Sequence, residues 1–174
     1  MEAKRFSKNF VFLLLALVTA IFGWWSSRPW VFIQGEGEML ASAPAYAGEA
    51  LSISFVHSVQ KTPVEEFLTV DDELSGLVLN STRYHSFGVG LPFMESDGDF
   101  YQDGNDFVMD NMNRRFDNIS LRTGLGTKLT VGLAGKSYPI YENHDLGYRV
   151  DIFIAPRAYG IPYISALYKY FSGR

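Results

Sequence analysis

Leu51-Ser-Ile-Ser-Phe-Val-His57-Ser-Val-Gln60-Lys-Thr-Pro63-Val-Glu-Glu66-Phe-Leu-Thr-Val70 is the stretch whose reading decides the fold. Leu51, Ile53, Phe55, His57 and Val59 alternate with polar or small residues, and Val64, Glu66, Leu68 and Val70 do the same after the break at Gln60–Pro63. A period of two is the mark of a strand with one buried face. With Gln60–Pro63 as a four-residue hairpin loop, Val59 falls opposite Val64, Phe55 opposite Leu68, Ile53 opposite Val70, and His57 opposite Glu66. Every other pair on that face is apolar, so His57 and Glu66 point into the expected core. A buried carboxylate needs a partner. His57 can supply one, and a six-residue connection to a third strand, Leu77–Phe87, sets Ser81 opposite Glu66 with Arg83 diagonally beyond. His57, Glu66 and Arg83 are therefore candidates for a ligand- or partner-binding site; the plainer reading is a satisfied pair that fixes register.

Working outward, the same short apolar runs recur at Trp30–Ile33, Met39–Ser42, Ile119–Arg122, Thr127–Leu133, Tyr138–Tyr141 and Tyr148–Ala155. Gly and Pro punctuate them, and no long run has a period of 3.6. About eight short strands predict an all-β domain, an antiparallel β-sandwich or partly open barrel. The stretch Glu95–Asn113, rich in Asp, Asn and Gly, reads as a long loop. Ile161–Phe171 sets Ile161, Ile164, Leu167, Tyr168 and Phe171 on one face and predicts a short amphipathic helix, capping the domain core or lying on a membrane surface.

No reaction signature accompanies these elements, so the chain is not expected to be an enzyme. Ser58 beside His57 faces the other way and makes no nucleophile pair. Asp97 to Asp106 departs from the calcium-loop spacing, with Tyr101 at the third ligand place. His85 and His144 have no second ligand at metal spacing and read as exposed strand-end residues. The absence of cysteine excludes a disulfide scaffold and thiolate metal sites. No metal and no cofactor is expected. Gly88-Val-Gly90-Leu-Pro92 is too short for a dinucleotide fingerprint and reads as a strand-ending turn.

The amino-terminal residues follow another pattern. Asn9–Ser27 carries no formal charge and, as a helix, reaches about 28 Å, near the hydrocarbon thickness of a bilayer. Lys4, Arg5 and Lys8 precede it, so the amino end is expected in the cytoplasm and the bulk across the membrane. Trp24, Trp25 and Trp30 cluster at the far end, where indoles favour the headgroup layer. A cleaved signal peptide is the rival, with small residues at Val18-Thr-Ala20. The expected organisation is 1–28 as basic end and anchor (or signal peptide) and 29–174 as an extracytoplasmic β-domain. From residue 28 on, 12 basic side chains face 18 acidic ones, an excess that repels phosphate backbones and argues against nucleic-acid binding.

The blocks His57-Ser-Val, Thr62-Pro-Val-Glu-Glu66 and Ser86-Phe-Gly-Val-Gly-Leu-Pro92 resemble an uncharacterised family of small proteins, commonly encoded beside TAXI-type TRAP transporters. The match is strongest over Leu51–Pro92. The resemblance implies a bacterial envelope protein of the inner membrane, accessory to solute uptake, with its domain in the periplasm; it brings no active site. Gly88, Gly90 and Pro92 of that motif join the candidate contact residues, and with the loop Glu95–Asn113 they form the expected contact surface. The expected function is thus a membrane-anchored, non-enzymatic accessory domain contacting a TRAP-type transporter or its solute-binding protein. A small-ligand or metal-binding module built on a buried His57–Glu66 pair is the alternative.

Overall fold

The computed structural model describes residues 8–86, 94 and 96–161. The chain divides into two compact units, one of residues 1–28 and 156–174, the other Pro29–Ala155. In the first, helix α1 (Lys8–Ser27) runs for 20 residues with none buried and a mean hydropathy of 2.0. Its few hydroxyls bond back to the preceding turn, Thr19 Oγ1 donating to the Leu15 carbonyl at 2.8 Å and Ser27 Oγ to that of Trp24 at 3.0 Å. That satisfaction is what apolar surroundings demand of a polar side chain. The helix is long and apolar enough to cross a bilayer and fits a single-pass anchor; a signal sequence has the same length, composition and place in the chain.

The second unit is a β-sandwich of two antiparallel sheets. The smaller sheet holds β1 (Pro29–Gly35), β2 (Glu38–Pro44), β9 (Asn118–Arg122) and β12 (Arg149–Pro156) in the order β2-β1-β12-β9. The larger comprises β3 (Ala50–Val56), β4 (Pro63–Val70), β5 (Leu77–Tyr84), β6 (Asp99–Asp103), β7 (Asp106–Asp110), β10 (Thr130–Leu133) and β11 (Lys136–Pro139), ordered β11-β10-β3-β4-β5-β7-β6. β8 (Arg114–Phe116) pairs separately with β5. Both sheets feed one core: Val31, Ile33, Val150, Ile152 and Ile154 from the smaller, Leu51, Ile53, Leu68, Val70, Leu77, Met109 and Val131 from the larger. Each such fully buried aliphatic side chain stabilises the fold by about 1.5–3 kcal/mol relative to exposure. At Gly35 an added Cβ would collide with the Tyr148 ring, so only glycine admits that aromatic.

Twelve strands are present among the described residues, three beyond the nine runs named from sequence, and those three all lie between 99 and 116. Asp99–Asp110, read from sequence as loop, is a hairpin with a two-residue turn at Gly104–Asn105, Gly104 lying at φ 65°. Its acidic residues disguised it. Each strand is bracketed by Asp, around Phe100-Tyr-Gln102 in β6 and Phe107-Val-Met109 in β7, and the brackets pair with each other, Asp99 with Asp110 and Asp103 with Asp106. Like charges opposite one another destabilise a ladder, and here each end has a compensating donor. Asn111 Nδ2 donates to Asp99 at 2.7 Å, and Arg83 bonds both Asp103 and Asp106. Beyond Ile161, the amphipathic tail helix falls outside the described residues.

Candidate functional site

The β3–β4 register differs from the sequence expectation by four residues. Ile53 sits opposite Glu66, Phe55 opposite Val64 and Leu51 opposite Leu68. The cause is His57. It belongs to the turn, and its Nδ1 accepts the backbone N–H of Gln60 at 3.1 Å and of Val59 at 3.3 Å. The His57 N–H donates to the Thr62 carbonyl at 2.8 Å, and the Lys61 N–H to the His57 carbonyl at 2.9 Å, with Lys61 at φ 56°. These bonds curl the chain out of the ladder directly after Val56. Because the slip is even, each side chain keeps its expected face, and His57 is buried while Glu66 is partly so. The two are nevertheless not partners, and no ion pair or hydrogen bond joins them.

Glu66 lies between Ile53 and Thr82 across its two neighbouring strands. Burial holds its carboxyl above the ordinary carboxylate range, and the positive charge of Arg114 draws it partly back. The six-residue connection to β5 is present, organised by Asp71, whose Oδ1 accepts the Ser75 N–H at 2.9 Å and whose Oδ2 lies 3.1 Å from Arg115. A bulge between Phe67 and Leu68 then shifts β5 by one residue. It brings Thr82, not Ser81, opposite Glu66 and turns Arg83 to the outer face opposite Glu65.

On that outer face Arg83 contacts Asp103 at 2.7 Å and Asp106 at 3.1 Å, and His85 Nδ1 lies 2.9 Å from the other Asp106 oxygen. The His85 and Arg83 bonds hold the Asp106 carboxyl below its usual range, and the two carboxylates raise the Arg83 guanidinium above its own. Arg83 is therefore taken up by protein carboxylates and is a poor receptor for an anionic ligand.

The structure brings together the described residues His57, Thr62 and Ser86, one from each of the three sequence blocks. Thr62 Oγ1 and Ser86 Oγ are 3.0 Å apart, and Thr62 also closes the His57 turn. The turn at 124–127 joins the same end of the sheet through the Val56 N–H and the Thr127 carbonyl. Each of these two turns presents an apolar tip to solvent: Val59 is 68% exposed and Leu125 82%. Gly88, Gly90 and Pro92 lie outside the described residues. Sequence reasoning passed over a second feature, an open cleft of ≈ 790 Å³ beside α2 (Ile140–Asn143), lined by Glu36, Glu142, His144, Asp145 and Tyr148. His144 stacks on Tyr148 there, with centroids 4.0 Å apart. Among the described residues no group of three His, Asp or Glu has the geometry of a metal site.

A family model described as "Domain of unknown function (DUF1850)" matches residues 51–140, the span from β3 to the start of α2. No curated protein and no solved structure matches the chain.

Proposed function

The chain belongs to the DUF1850 family, and from that premise we propose that it is a membrane-anchored, non-enzymatic accessory domain whose β3–β4 end docks on a protein partner. The meeting of His57, Thr62 and Ser86, one residue from each sequence block, at one braced turn carries the reading. His57, Thr62 and Ser86 fix the backbone there, and Val59 and Leu125 are left as exposed apolar tips. Loops held rigid by a sheet, with exposed apolar side chains at their tips, suit protein contact. The resemblance of those blocks to small proteins encoded beside TAXI-type TRAP transporters supplies the partner: a transporter subunit or its solute-binding protein. The anchor is α1, with the β-domain on the extracytoplasmic side.

A photo-crosslinking residue at Val59 tests this in native membranes, with one at Leu146, equally exposed but far along the chain in the cleft wall, as the control. Adducts with transporter components at Val59 and not at Leu146 are expected. Equal labelling at both positions, or adducts only with unrelated proteins, overturns the reading. The alternative of a ligand or metal module on His57 and Glu66 lacks comparable support, since the imidazole is committed to its own turn and the carboxylate to the sheet interior.

A further inference from the structure

At the carboxyl end of α1 two guanidinium groups lie on two adjacent indoles. Arg28 Cζ is 4.2 Å from the Trp24 ring centroid, and Arg157 Cζ is 3.8 Å from that of Trp25. Both are well within the range of cation–π attraction. The backbone locks the pair, the Arg157 N–H donating to the Arg28 carbonyl at 2.7 Å. Residues 8–28 and 156–174 contain no acidic side chain at all. The charge of the chain is in fact partitioned between the units. Segments 1–28 and 156–174 together hold seven basic residues and one acidic, whereas 29–155 holds eight basic and 18 acidic.

We propose that Arg28 and Arg157, mounted on Trp24 and Trp25, grip the phosphates of anionic phospholipids at the extracytoplasmic face of the membrane. The inference rests on the reading of α1 as a membrane span. With Leu17 near mid-helix, Arg28 stands about 16 Å from the centre, at the edge of a hydrocarbon core about 30 Å thick. That is the depth of the lipid phosphates and of interfacial tryptophan. A guanidinium over a ring retains several N–H donors beyond the ring contact, and arginine can bond a phosphate bidentately. Stacking also removes most of the rotamer freedom that a loose arginine would lose on binding. Arg28 and Arg157, with no acidic side chain among residues 9–28 and 156–174, favour an anionic occupant.

The full-length chain is reconstituted into vesicles of phosphatidylcholine alone and with phosphatidylglycerol, floated, and then extracted in mild detergent for native mass spectrometry of retained lipid. Wild type is expected to keep phosphatidylglycerol over phosphatidylcholine, each guanidinium contributing about fivefold. Arg157→Gln should lose about one such factor, Arg157→Lys less, and the double Arg28→Gln, Arg157→Gln variant should approach parity. Far-ultraviolet circular dichroism checks that the β-domain stays folded in each. Equal lipid selectivity in wild type and the double variant overturns the proposal, as does retention of an acidic protein at the pair in place of lipid. Failure of wild type to float with vesicles of either kind instead sinks the membrane-span reading beneath it.

Discussion

Hairpins β3–β4 and β6–β7 lie in the same sheet and reverse direction by different means. The second uses backbone freedom: two residues, with Gly104 at φ 65°, and no other heavy atom within 4 Å of where a Cβ would stand. The first uses a side chain, the His57 ring accepting two N–H groups that the strand ladder has released. A glycine turn fixes its register with nothing but its own conformation. A histidine-braced turn makes register depend on an imidazole nitrogen, and it leaves six residues available for contact instead of two.

The largest effect expected from breaking that contrast comes from His57→Ala, which orphans the Val59 and Gln60 N–H groups and empties a buried site. A loss of about 2 kcal/mol in urea unfolding is expected, with faster amide exchange at Val59 and Gln60. Unchanged exchange there would show that the ring does not organise the turn. Gly104→Ala should cost about 1 kcal/mol, because a left-handed backbone is strained for alanine even in open space, and Gly104→Asn should recover part of it.

Glu66→Gln sharpens the comparison from inside the sheet. The native carboxyl titrates above the unfolded one, so the unfolded chain releases its proton first as pH rises. Native stability therefore declines above about the usual 4.5, and the glutamine variant should melt higher than wild type at pH 7 and equally with it well below that value. A variant advantage persisting into acid would place the carboxyl's cost elsewhere. The smallest effect is expected at Arg83→Gln, on an exposed network. Asp106 has its carboxyl lowered from the usual 3.8, so its contribution is present above that value and lost as pH falls through the native one. Without Arg83 the acid-unfolding midpoint should move slightly to higher pH, and the difference should shrink in high salt.

The apolar helix, the sandwich and the faces of β3 and β4 are all legible in the sequence, because each rests on hydrophobic period alone. Register is not. Glu66 was placed on the correct face but against the wrong partner, since a four-residue slip leaves parity intact. Arg83 was placed on the wrong face, since the bulge at Phe67 changes parity by one and leaves no mark on the pattern. The 99–110 hairpin is hidden because its bracketing aspartates find their partners, the Arg83 guanidinium and the Asn111 amide, outside the strands themselves. Of the candidate site, the meeting of Thr62 and Ser86 follows from the strand order. The ring acceptor at the turn does not, because a histidine in phase with a strand looks like one more strand residue.

The family match, residues 51–140, takes in the whole of the larger sheet but only β9 of the smaller one; β1 and β2 precede it, and β12 follows. The first strand of the domain and the last are thus neighbours, and the last supplies Val150, Ile152 and Ile154 to the interior. During synthesis the smaller sheet stays incomplete, and the inner face of the larger one only partly covered, until β12 arrives between β1 and β9. A stop codon a few dozen residues early would leave an aggregation-prone half-shell rather than a smaller working protein.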